Sequence, residues 1–271
     1  MHARVMEDLG WQVVGQPGRQ IFVRTLGPVG VGKIQRPKAI NLNEIDKIRK
    51  KYHLLTLYIE PGLTTTSTNL GIAVEPFAHS TTSILDLTLS EGQLLTSFSQ
   101  KTRYNIAHTL KQKALNIRST PLNKLADKEK AAFMSLRATW SRRKHVEGHS
   151  ELLLGSVLHH YRGHGTLHTA WDSTDCLGAL LILEHDHVAT YYSAFATELG
   201  NRRFAPTLLT WLALETAKKN KCDIFDFGGT YDPRYPKMYK KWQGFTKFKE
   251  GFRPTTITYP PTYLKIGWPL I

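Results

Sequence analysis

Residues 176–229 contain two apolar runs, an amphipathic segment and a third short apolar run in close succession. The first two runs are CLGALLILE (176–184) and HVATYYSAF (187–195), joined by a turn at residues 184–187. Short apolar runs bounded by turn residues predict β-strands, so this pair predicts a hairpin. The segment PTLLTWLALETAKK (206–219) carries leucines at helical spacing, and DIFDF (223–227) predicts a strand that ends at Gly228-Gly229. The predicted order is hairpin, helix, strand.

This order is the layout of the GNAT type of acyltransferase fold. In that fold, the loop before the helix normally carries glycines, whose backbone N–H groups hold the pyrophosphate of an acyl-CoA. Here the loop is GNRRFAP (200–206), in which no glycine lies where the helix begins. Pro206 has no N–H to donate. The sequence therefore predicts the fold without the CoA-binding loop.

The rest of the chain alternates predicted strands and helices in two cycles. The first cycle has strands at 11–14, 20–26, 53–60 and 82–87, and helices at 43–52 and 90–113. The second begins with a short extended segment at 116–119, helices at 127–142 and 150–162, and a strand at 166–172. The basic segment around Lys249 is predicted as an edge strand, and the prolines at 254, 260 and 261 predict an extended C-terminal segment. Two halves with the same element order predict two similar α/β (α+β) domains, with a boundary near residues 119–125.

Composition excludes several classes of protein. The 41% hydrophobic share and six tryptophans exclude a disordered basic tail. Only two cysteines are present, which excludes a disulfide-built scaffold, and the longest apolar runs are far too short to span a bilayer. The charged residues at the start predict that there is no signal peptide. We expect a cytoplasmic protein.

The positive charge is gathered rather than spread. The chain has 36 Lys or Arg and 22 Asp or Glu, a formal net charge of +14. Residues 101–118 carry five basic side chains and no acidic one, residues 234–253 carry seven against Glu250 alone, and a smaller cluster occupies 142–144. Aromatic residues interleave the cluster at 234–253, as in sites that bind phosphates together with bases or sugars. Each cluster could equally be a solvated face, but together they favour an anionic partner.

Several short motifs, in order along almost the whole chain, resemble the FemABX family of aminoacyl-tRNA-dependent peptidyltransferases. The motifs are Leu26-Gly27-Pro28-Val29, Asp86-Leu87-Thr88, Lys101-Thr102-Arg103-Tyr104-Asn105-Ile106, Thr139-Trp140-Ser141-Arg142, Ala205 to Trp211, Phe225 to Gly229, and Gly244 to Phe252. Each motif alone is weak, but their order is specific.

The resemblance implies two GNAT-like acyltransferase domains in tandem. The first would span 1–119, completed by a C-terminal strand within 255–271, and the second would span 120–254. Family members transfer an amino acid from aminoacyl-tRNA to an amine on the stem peptide of a UDP- or lipid-linked muramyl peptide, which forms an amide in cell-wall bridge synthesis. The implied donor makes any further cofactor unnecessary. The implied partners are anions, which agrees with the gathered positive charge.

Two features depart from the family pattern. Family members usually have a further strand and most of a helix upstream of Met1, so the first domain is expected to be trimmed at its N-terminus. Residues 113–150 contain no long heptad pattern, so the paired helical arm of some members is expected to be absent. The chain is most similar to the smaller, arm-less form.

The resemblance also suggests roles for particular residues. Lys249 and Phe248 match the family's catalytic Phe-Lys pair, in which the cation would stabilise the oxyanion of the tetrahedral intermediate. The residues predicted to bind substrate are Arg142, Arg103, Tyr104, Tyr192 and Tyr191. Those predicted to bind tRNA or phosphate are Lys240, Lys241, Lys247 and Arg253. No residue is a compelling general base, Asp226 being the nearest acidic candidate, and no His, Cys or carboxylate spacing predicts a metal site.

Two alternatives remain at the level of sequence. One is a GNAT-like N-acyltransferase that uses acyl-CoA or acyl carrier protein on a small amine. The other is a non-catalytic protein that binds RNA or an anionic surface with an inactive transferase fold. For the main interpretation we expect a monomer that does not bind DNA, with peripheral contact at the inner face of the membrane if the acceptor is lipid-linked.

Overall fold

The computed structural model describes residues 1–65, 69–144 and 149–267, and the chain divides into two units. The first unit contains Met1–Thr81, Asp232–Tyr239 and Thr258–Ile271, and the second contains Thr82–Tyr231 and Lys240–Ile257. The predicted division at residue 119 differs from this one, because residues 82–119 belong to the second unit. Strand Thr81–Asp86 pairs with strand Ile224–Gly229, a long-range contact that local sequence does not reveal.

The first unit is built on a six-stranded mixed sheet with the order β1-β2-β3-β4-β13-β5. Its strands are β1 (Gln12–Val14), β2 (Ile21–Leu26), β3 (Val29–Gln35), β4 (Leu54–Glu60), β5 (Ile72–Val74) and β13 (Thr262–Ile266). Its helices are α1 (His2–Asp8), α2 (Leu42–Lys51) and α9 (Pro236–Tyr239). Only β3 and β4 are parallel neighbours among the registered pairs of this sheet. The last strand of the chain lies between β4 and β5, so the predicted return of the C-terminus to the first domain is confirmed.

One helix covers the core face of this sheet. Asn41 caps α2 by accepting hydrogen bonds from the backbone amides of residues 43 and 44. Ile45 and Ile48, three residues apart, are buried and belong to the same core as Ile34 and Leu57 of the sheet. The opposite face of the sheet carries the buried Phe22, Lys33 and Glu60.

The second unit is built on a seven-stranded mixed sheet with the order β12-β6-β11-β10-β9-β8-β7. Its strands are β6 (Thr81–Asp86), β7 (Asn116–Pro121), β8 (Gly165–Asp172), β9 (Asp175–His185), β10 (Val188–Ala196), β11 (Ile224–Gly229) and β12 (Thr255–Thr258). Its helices are α3 (Glu91–Ser97), α4 (Gln100–Gln112), α5 (Asp127–Lys144), α6 (Glu151–His160), α7 (Glu198–Arg202), α8 (Ala205–Lys219) and α10 (Gln243–Glu250). Two short 3₁₀ turns occupy Leu122–Lys124 and Lys240–Trp242.

The predicted hairpin, helix and strand form the centre of this unit. Strands β9 and β10 pair antiparallel and are joined at Asp186 and His187, whose φ angles of 47° and 60° fit a tight hairpin turn. Helix α8 packs its buried Leu209 and Leu214 into the core shared with these strands. The mixed α/β fold with two sheets confirms the predicted fold class.

Two local predictions are wrong. The predicted helix at 90–113 is interrupted at Phe98 and Ser99, because Ser90 and Ser99 each cap a separate helix, α3 and α4. The basic segment predicted as an edge strand forms α10 instead.

None of the helices within residues 1–65, 69–144 and 149–267 is long and apolar enough to cross a bilayer.

Candidate active site

The candidate site lies in the second unit, where β10 and β11 separate. These parallel strands pair only from Val188–Ile224 to Thr190–Asp226. Immediately beyond, the register of β10 against β9 shifts, so that Tyr192 is an extra residue between two paired positions. A bulge at this position bends the strand and redirects its side chains. The result is a gap between the second half of β10 and the glycine-rich end of β11.

Lys249 reaches the β11 side of this gap from α10. Its side chain is only 6% exposed, and its Nζ donates a 2.6 Å hydrogen bond to the backbone oxygen of Gly229. The same Nζ lies 4.9 Å from the ring centroid of Phe245 and 5.9 Å from that of Tyr191. Phe245 precedes Lys249 by one helical turn, so the helix itself places an aromatic ring beside the ammonium group. An ammonium so held is positioned to stabilise negative charge at the gap.

Burial changes the proton affinity of this lysine. Removal from water lowers the pKa of Lys249 from 10.5 to about 8, against the opposing attraction of the Asp226 carboxylate. Asp226 accepts hydrogen bonds from the hydroxyl of Thr82 and from the amide of Gly228 at 2.7 Å. These contacts hold the carboxylate within the end of β11, as expected for a turn acceptor, while it supplies a negative charge near Lys249.

Phe248 packs against the hydrophobic core of the second unit. Its ring is partly buried and meets the ring of Phe252 edge-on at 5.5 Å. Phe252 is fully buried and also contacts Phe98 and Phe227. Phe248 therefore anchors α10 to the core, and this anchorage fixes the neighbouring Lys249.

Tyr191 and Tyr192 lie in different surroundings. Tyr191 packs against Phe225 and Phe227 and interacts with Thr210 on α8, and burial raises the pKa of its phenol well above the usual range. Tyr192, the bulge residue, stacks on the ring of His149 at a centroid distance of 4.7 Å. Burial, and to a smaller extent the nearby Tyr161, raises the pKa of Tyr192 in the same way. Both phenols are therefore neutral hydrogen-bonding groups at neutral pH.

Sequence reasoning missed His149 at the bulge. Its Nδ1 lies 2.6 Å from the hydroxyl of Ser193, and its backbone oxygen accepts a 2.7 Å hydrogen bond from Arg137. Burial lowers the pKa of His149 from its ordinary 6.5, so the ring is neutral at pH 7 and able to accept a proton. The only signal in the sequence is a histidine just before the Ser150 helix cap, which by itself is not specific.

The two arginines predicted to bind substrate, Arg142 and Arg103, have different surroundings, and their binding roles stay predictions. Arg142 is exposed and bonds only weakly to its own helix, whereas the next residue, Arg143, donates a 2.8 Å hydrogen bond to the backbone oxygen of Ala196 at the end of β10. The Nε of Arg143 is buried without a partner among the described residues. Arg103 donates to the backbone oxygens of Thr96 and Phe98 and so closes the end of α3. The side chains of Arg143 and Arg103 therefore both bind backbone oxygens of the protein, whereas the side chain of Arg142 is exposed to solvent.

The remaining predicted binding residues are exposed. Tyr104 is 60% exposed and stacks on His108 one helical turn away. The exposed cations predicted to bind tRNA or phosphate are Lys240, Lys241, Lys247 and Arg253. They lie on the 3₁₀ turn and α10 and just beyond it, close in sequence to Lys249. Their roles stay predictions.

The start of α8 differs from a phosphate-binding helix end. Phe204 takes a left-handed conformation before the helix (φ 56°), Ala205 is fully buried, and Pro206 occupies the first turn. Gly200 lies in α7, where a side chain would collide with the backbone oxygen of Leu177. This glycine is therefore required by the close packing of α7 on β9.

The fold and the gap at the parted strands define an acyltransferase of the GNAT class. The family model described as an acetyltransferase (GNAT) domain matches residues 97–241, more than half of the chain. The chain belongs to this family and is an enzyme of acyl transfer. A search of curated proteins found no match.

Solved structures extend the similarity to nearly the whole chain. FemX covers 98% of this chain and 90% of its own length, with a TM-score of 0.75 and 13% identity. A C-terminal domain assigned to a lysylphosphatidylglycerol synthetase from Agrobacterium fabrum covers 97% and 87%, with a TM-score of 0.66 and 12% identity. L-PGS from Bacillus licheniformis covers 97% and 86%, with a TM-score of 0.60 and 11% identity. At these identities the likeness is one of fold, and at that level the predicted FemABX resemblance is confirmed.

Proposed function

We propose that the protein transfers an amino acid from aminoacyl-tRNA to an amine on the stem peptide of a UDP- or lipid-linked muramyl peptide, forming an amide in cell-wall bridge synthesis. The observation that carries the proposal is the buried Lys249 ammonium at the gap between β10 and β11. Moving an acyl group from an ester to an amine passes through a tetrahedral intermediate with a negatively charged oxygen. A buried, fixed cation stabilises such an oxygen far better than a solvated one does.

Lys249 keeps its proton in this step. With a pKa of about 8 it is mostly charged at pH 7, and the bond to the Gly229 oxygen fixes its direction. The attacking amine must lose a proton as the amide bond forms, and the ester oxygen of the tRNA must gain one. His149 is neutral and stacks on Tyr192, the bulge residue, so it is our candidate to accept the proton from the amine.

The donor we propose is aminoacyl-tRNA, with no further cofactor. The closed start of α8, with buried Ala205 and with Pro206 in its first turn, offers few free amide groups to a pyrophosphate. The exposed Lys240, Lys241 and Lys247, together with Arg253, suit the phosphates of a tRNA end or of the precursor. Within the described residues no group of three or more His, Cys, Asp or Glu side chains is arranged to hold a metal ion.

The acceptor would set the location of the enzyme. We propose a cytoplasmic protein that contacts the inner membrane surface peripherally when the acceptor is lipid-linked. The net charge of +14 favours attraction to anionic headgroups.

The decisive experiment compares muramyl peptides by mass spectrometry in cells carrying the wild-type gene, the Lys249→Met variant and a Lys130→Met control. Lys130 is an exposed cation on α5 and is assigned no role. We expect a side-branch mass with the wild type and the control and a loss of about 10²–10³-fold in its rate of formation with Lys249→Met. An unchanged side branch in Lys249→Met would refute the role of Lys249, and the absence of any branch in the wild type would refute the peptidoglycan acceptor.

A second candidate is an N-acyltransferase that takes an acyl group from acyl-CoA or acyl carrier protein to a small amine. The family model, which is described by acetyl transfer, favours it. Saturable binding of radiolabelled acetyl-CoA at micromolar concentration would decide for this candidate and against tRNA as the donor.

A further inference from the structure

The first unit contains a cavity on the face of its sheet that lies opposite the core of Ile34 and Ile59. The cavity has a volume of about 230 Å³, and its walls include Gln20, Phe22, Gln35, Arg36, Glu60 and His79. Gln35 at the end of β3 and Glu60 at the end of β4 are direct partners across the parallel pair, so their side chains share one wall. The next residues inward on each strand, Ile34 and Ile59, belong to the core.

The carboxylate of Glu60 is incompletely satisfied. The residue is only 7% exposed, and its Oε1 accepts a 2.5 Å hydrogen bond from the backbone amide of Ala78. Its Oε2 is buried and has no hydrogen-bond partner among the described residues. The Lys33 ammonium is attracted by the charge of Glu60 but lies among aromatic rings, 4.7 Å from the ring centroid of Trp11 and 4.8 Å from that of Phe77, and it makes no hydrogen bond to Glu60 Oε2. A buried carboxylate oxygen of this kind requires a donor.

A second acceptor lies on the same wall. The amide oxygen of Gln35 is buried without a hydrogen bond of ordinary geometry, although the His2 side chain is close enough to interact with Gln35. A buried carboxylate oxygen without a donor, beside an amide oxygen whose neighbouring donor is the His2 ring, suits a group that carries several hydrogens, such as an ammonium.

Arg36, in contrast, is a donor that lacks an anionic partner among the described residues. Its guanidinium donates a 2.5 Å hydrogen bond to the backbone oxygen of His79, lies 3.0 Å from the His79 ring nitrogen, and is 3.6 Å from the ring centroid of Tyr259. These contacts orient the guanidinium but leave it without a carboxylate partner in the part of the chain that the structure describes. A fixed guanidinium is suited to binding a carboxylate.

We propose that this cavity binds the zwitterionic group of an α-amino acid. The ammonium donates to Glu60 Oε2 and Gln35 Oε1, and the carboxylate accepts from Arg36. A simple anion would be repelled by the unpaired Glu60 oxygen, and a simple cation would be repelled by Arg36. A zwitterion binds favourably to both. The volume equals roughly seven or eight water molecules, enough for a small amino acid or for the amino-acid end of a larger molecule.

Titration of the full-length protein with three small probes tests the proposal, with binding followed by NMR chemical shifts and by calorimetry. L-Alanine carries both charges, L-alaninamide lacks the carboxylate, and propionate lacks the ammonium. We expect saturable binding of L-alanine and at least about tenfold weaker binding of the other two, as the loss of one charged hydrogen-bonding group implies. Equal affinities for all three probes, or no saturable binding of L-alanine, would overturn the proposal. This comparison needs no variant, so it does not depend on the folding of a mutant.

Variants then place the bound molecule in the cavity. Glu60→Gln and Arg36→Lys are each expected to weaken L-alanine binding by about tenfold or more, whereas the exposed Glu75→Gln and Arg4→Lys serve as matched controls and leave it unchanged. If Glu60→Gln and Arg36→Lys bind like the wild type while remaining folded, the site is elsewhere and the proposal fails.

A comparison of L-alanine with diaminopimelate acylated on one amino group distinguishes a free amino acid from the amino-acid end of a larger molecule. Tighter binding of the acylated compound identifies the end of a larger molecule, and tighter binding of L-alanine identifies a free amino acid.

Discussion

Burial of Lys249 has opposite consequences for chemistry and for folding. Because Lys249 is removed from water, its positive charge is not screened and acts strongly on a reacting oxygen. The same removal from water disfavours the charged form of the lysine. In the unfolded chain the ammonium is solvated and keeps its ordinary pKa of 10.5, so charge on this residue costs stability only in the folded state. A residue with these two properties is expected where function has been favoured over stability.

We therefore expect Lys249→Met to stabilise the protein while it impairs transfer. Lowering the pKa from 10.5 to about 8 corresponds to a penalty of about 3 kcal/mol at neutral pH, and loss of the bond to Gly229 returns about 1 kcal/mol of that. The expected net gain in the free energy of unfolding is thus about 2 kcal/mol at pH 7, measured by denaturant titration. Because the folded wild type binds fewer protons than the unfolded chain between pH 8 and 10.5, its stability rises with pH there. The difference in the free energy of unfolding between Lys249→Met and the wild type must therefore shrink between pH 8 and 10.5. A difference that does not depend on pH would contradict the lowered pKa of Lys249.

The same pKa predicts how transfer depends on pH. If the charged form of Lys249 stabilises the oxyanion, kcat/KM falls as pH rises through about 8, because the free enzyme loses the cation. Lys249→Arg keeps its charge throughout and should lose this decline even where its rate is lower. A profile in which both proteins decline at the same pH would assign the titration to another group.

At the scale of elements, two features set the geometry of the site. The bulge at Tyr192 bends β10 away from β11, and α10 delivers Lys249 into the space that opens. Phe245, Phe248 and Phe252 recur at spacings of three and four, which is a helical pattern, whereas the basic residues of this segment predict an edge strand. The signal for α10 was thus present in the sequence, but the surrounding basic residues and the following prolines obscured it.

Close packing of α7 on β9 supplies a prediction at this scale. A Cβ on Gly200 would lie inside contact distance of the Leu177 backbone oxygen, and backbone cannot move aside as a flexible side chain can. We expect Gly200→Ala to lower the free energy of unfolding by about 2–3 kcal/mol. Gly155→Ala is the matched control, because a Cβ there meets nothing within 4 Å and alanine favours the helix α6 by about 0.5–1 kcal/mol. Chemical denaturation of both variants measures the difference, and equal stabilities would show that α7 can shift without cost.

At the scale of the whole molecule, the first unit is assembled from three separate segments of the chain. A buried cluster joins them: Asp232 accepts hydrogen bonds from Ser80 and Arg234, and Arg234 also donates to the backbone oxygens of Ser80 and Tyr259. Asp232 is only 1% exposed. Residues from near positions 80, 232 and 259 are thus held by one carboxylate and one guanidinium.

We expect Asp232→Asn to destabilise the protein by about 2 kcal/mol at pH 7, since it breaks a charge-assisted pair whose arginine is partly exposed. Burial alone would raise the pKa of Asp232, but the hydrogen bonds from Arg234 and Ser80 outweigh it and lower that pKa below 3.8. The carboxylate therefore contributes stability above pH 3.8 and loses that contribution as pH falls through its lowered folded pKa. Unfolding followed by circular dichroism should show the difference between wild type and variant narrowing in acid. A difference that stays constant down to pH 2 would mean that the carboxylate charge does not hold the cluster.

The sequence by itself determined the hairpin, the helix α8, the strand β11 and the absence of a glycine loop before α8, because each depends on contacts between residues close along the chain. It also singled out Lys249, through a motif that resembles a family. The tertiary structure decided where the units divide, because β6 joins the second sheet by pairing with β11, more than a hundred residues away. It also decided that Arg143 rather than Arg142 holds the end of β10, that His149 stacks on Tyr192, and that Glu60 and Arg36 face one cavity. Such pairings depend on the path of the chain through space, and local sequence patterns do not carry that information.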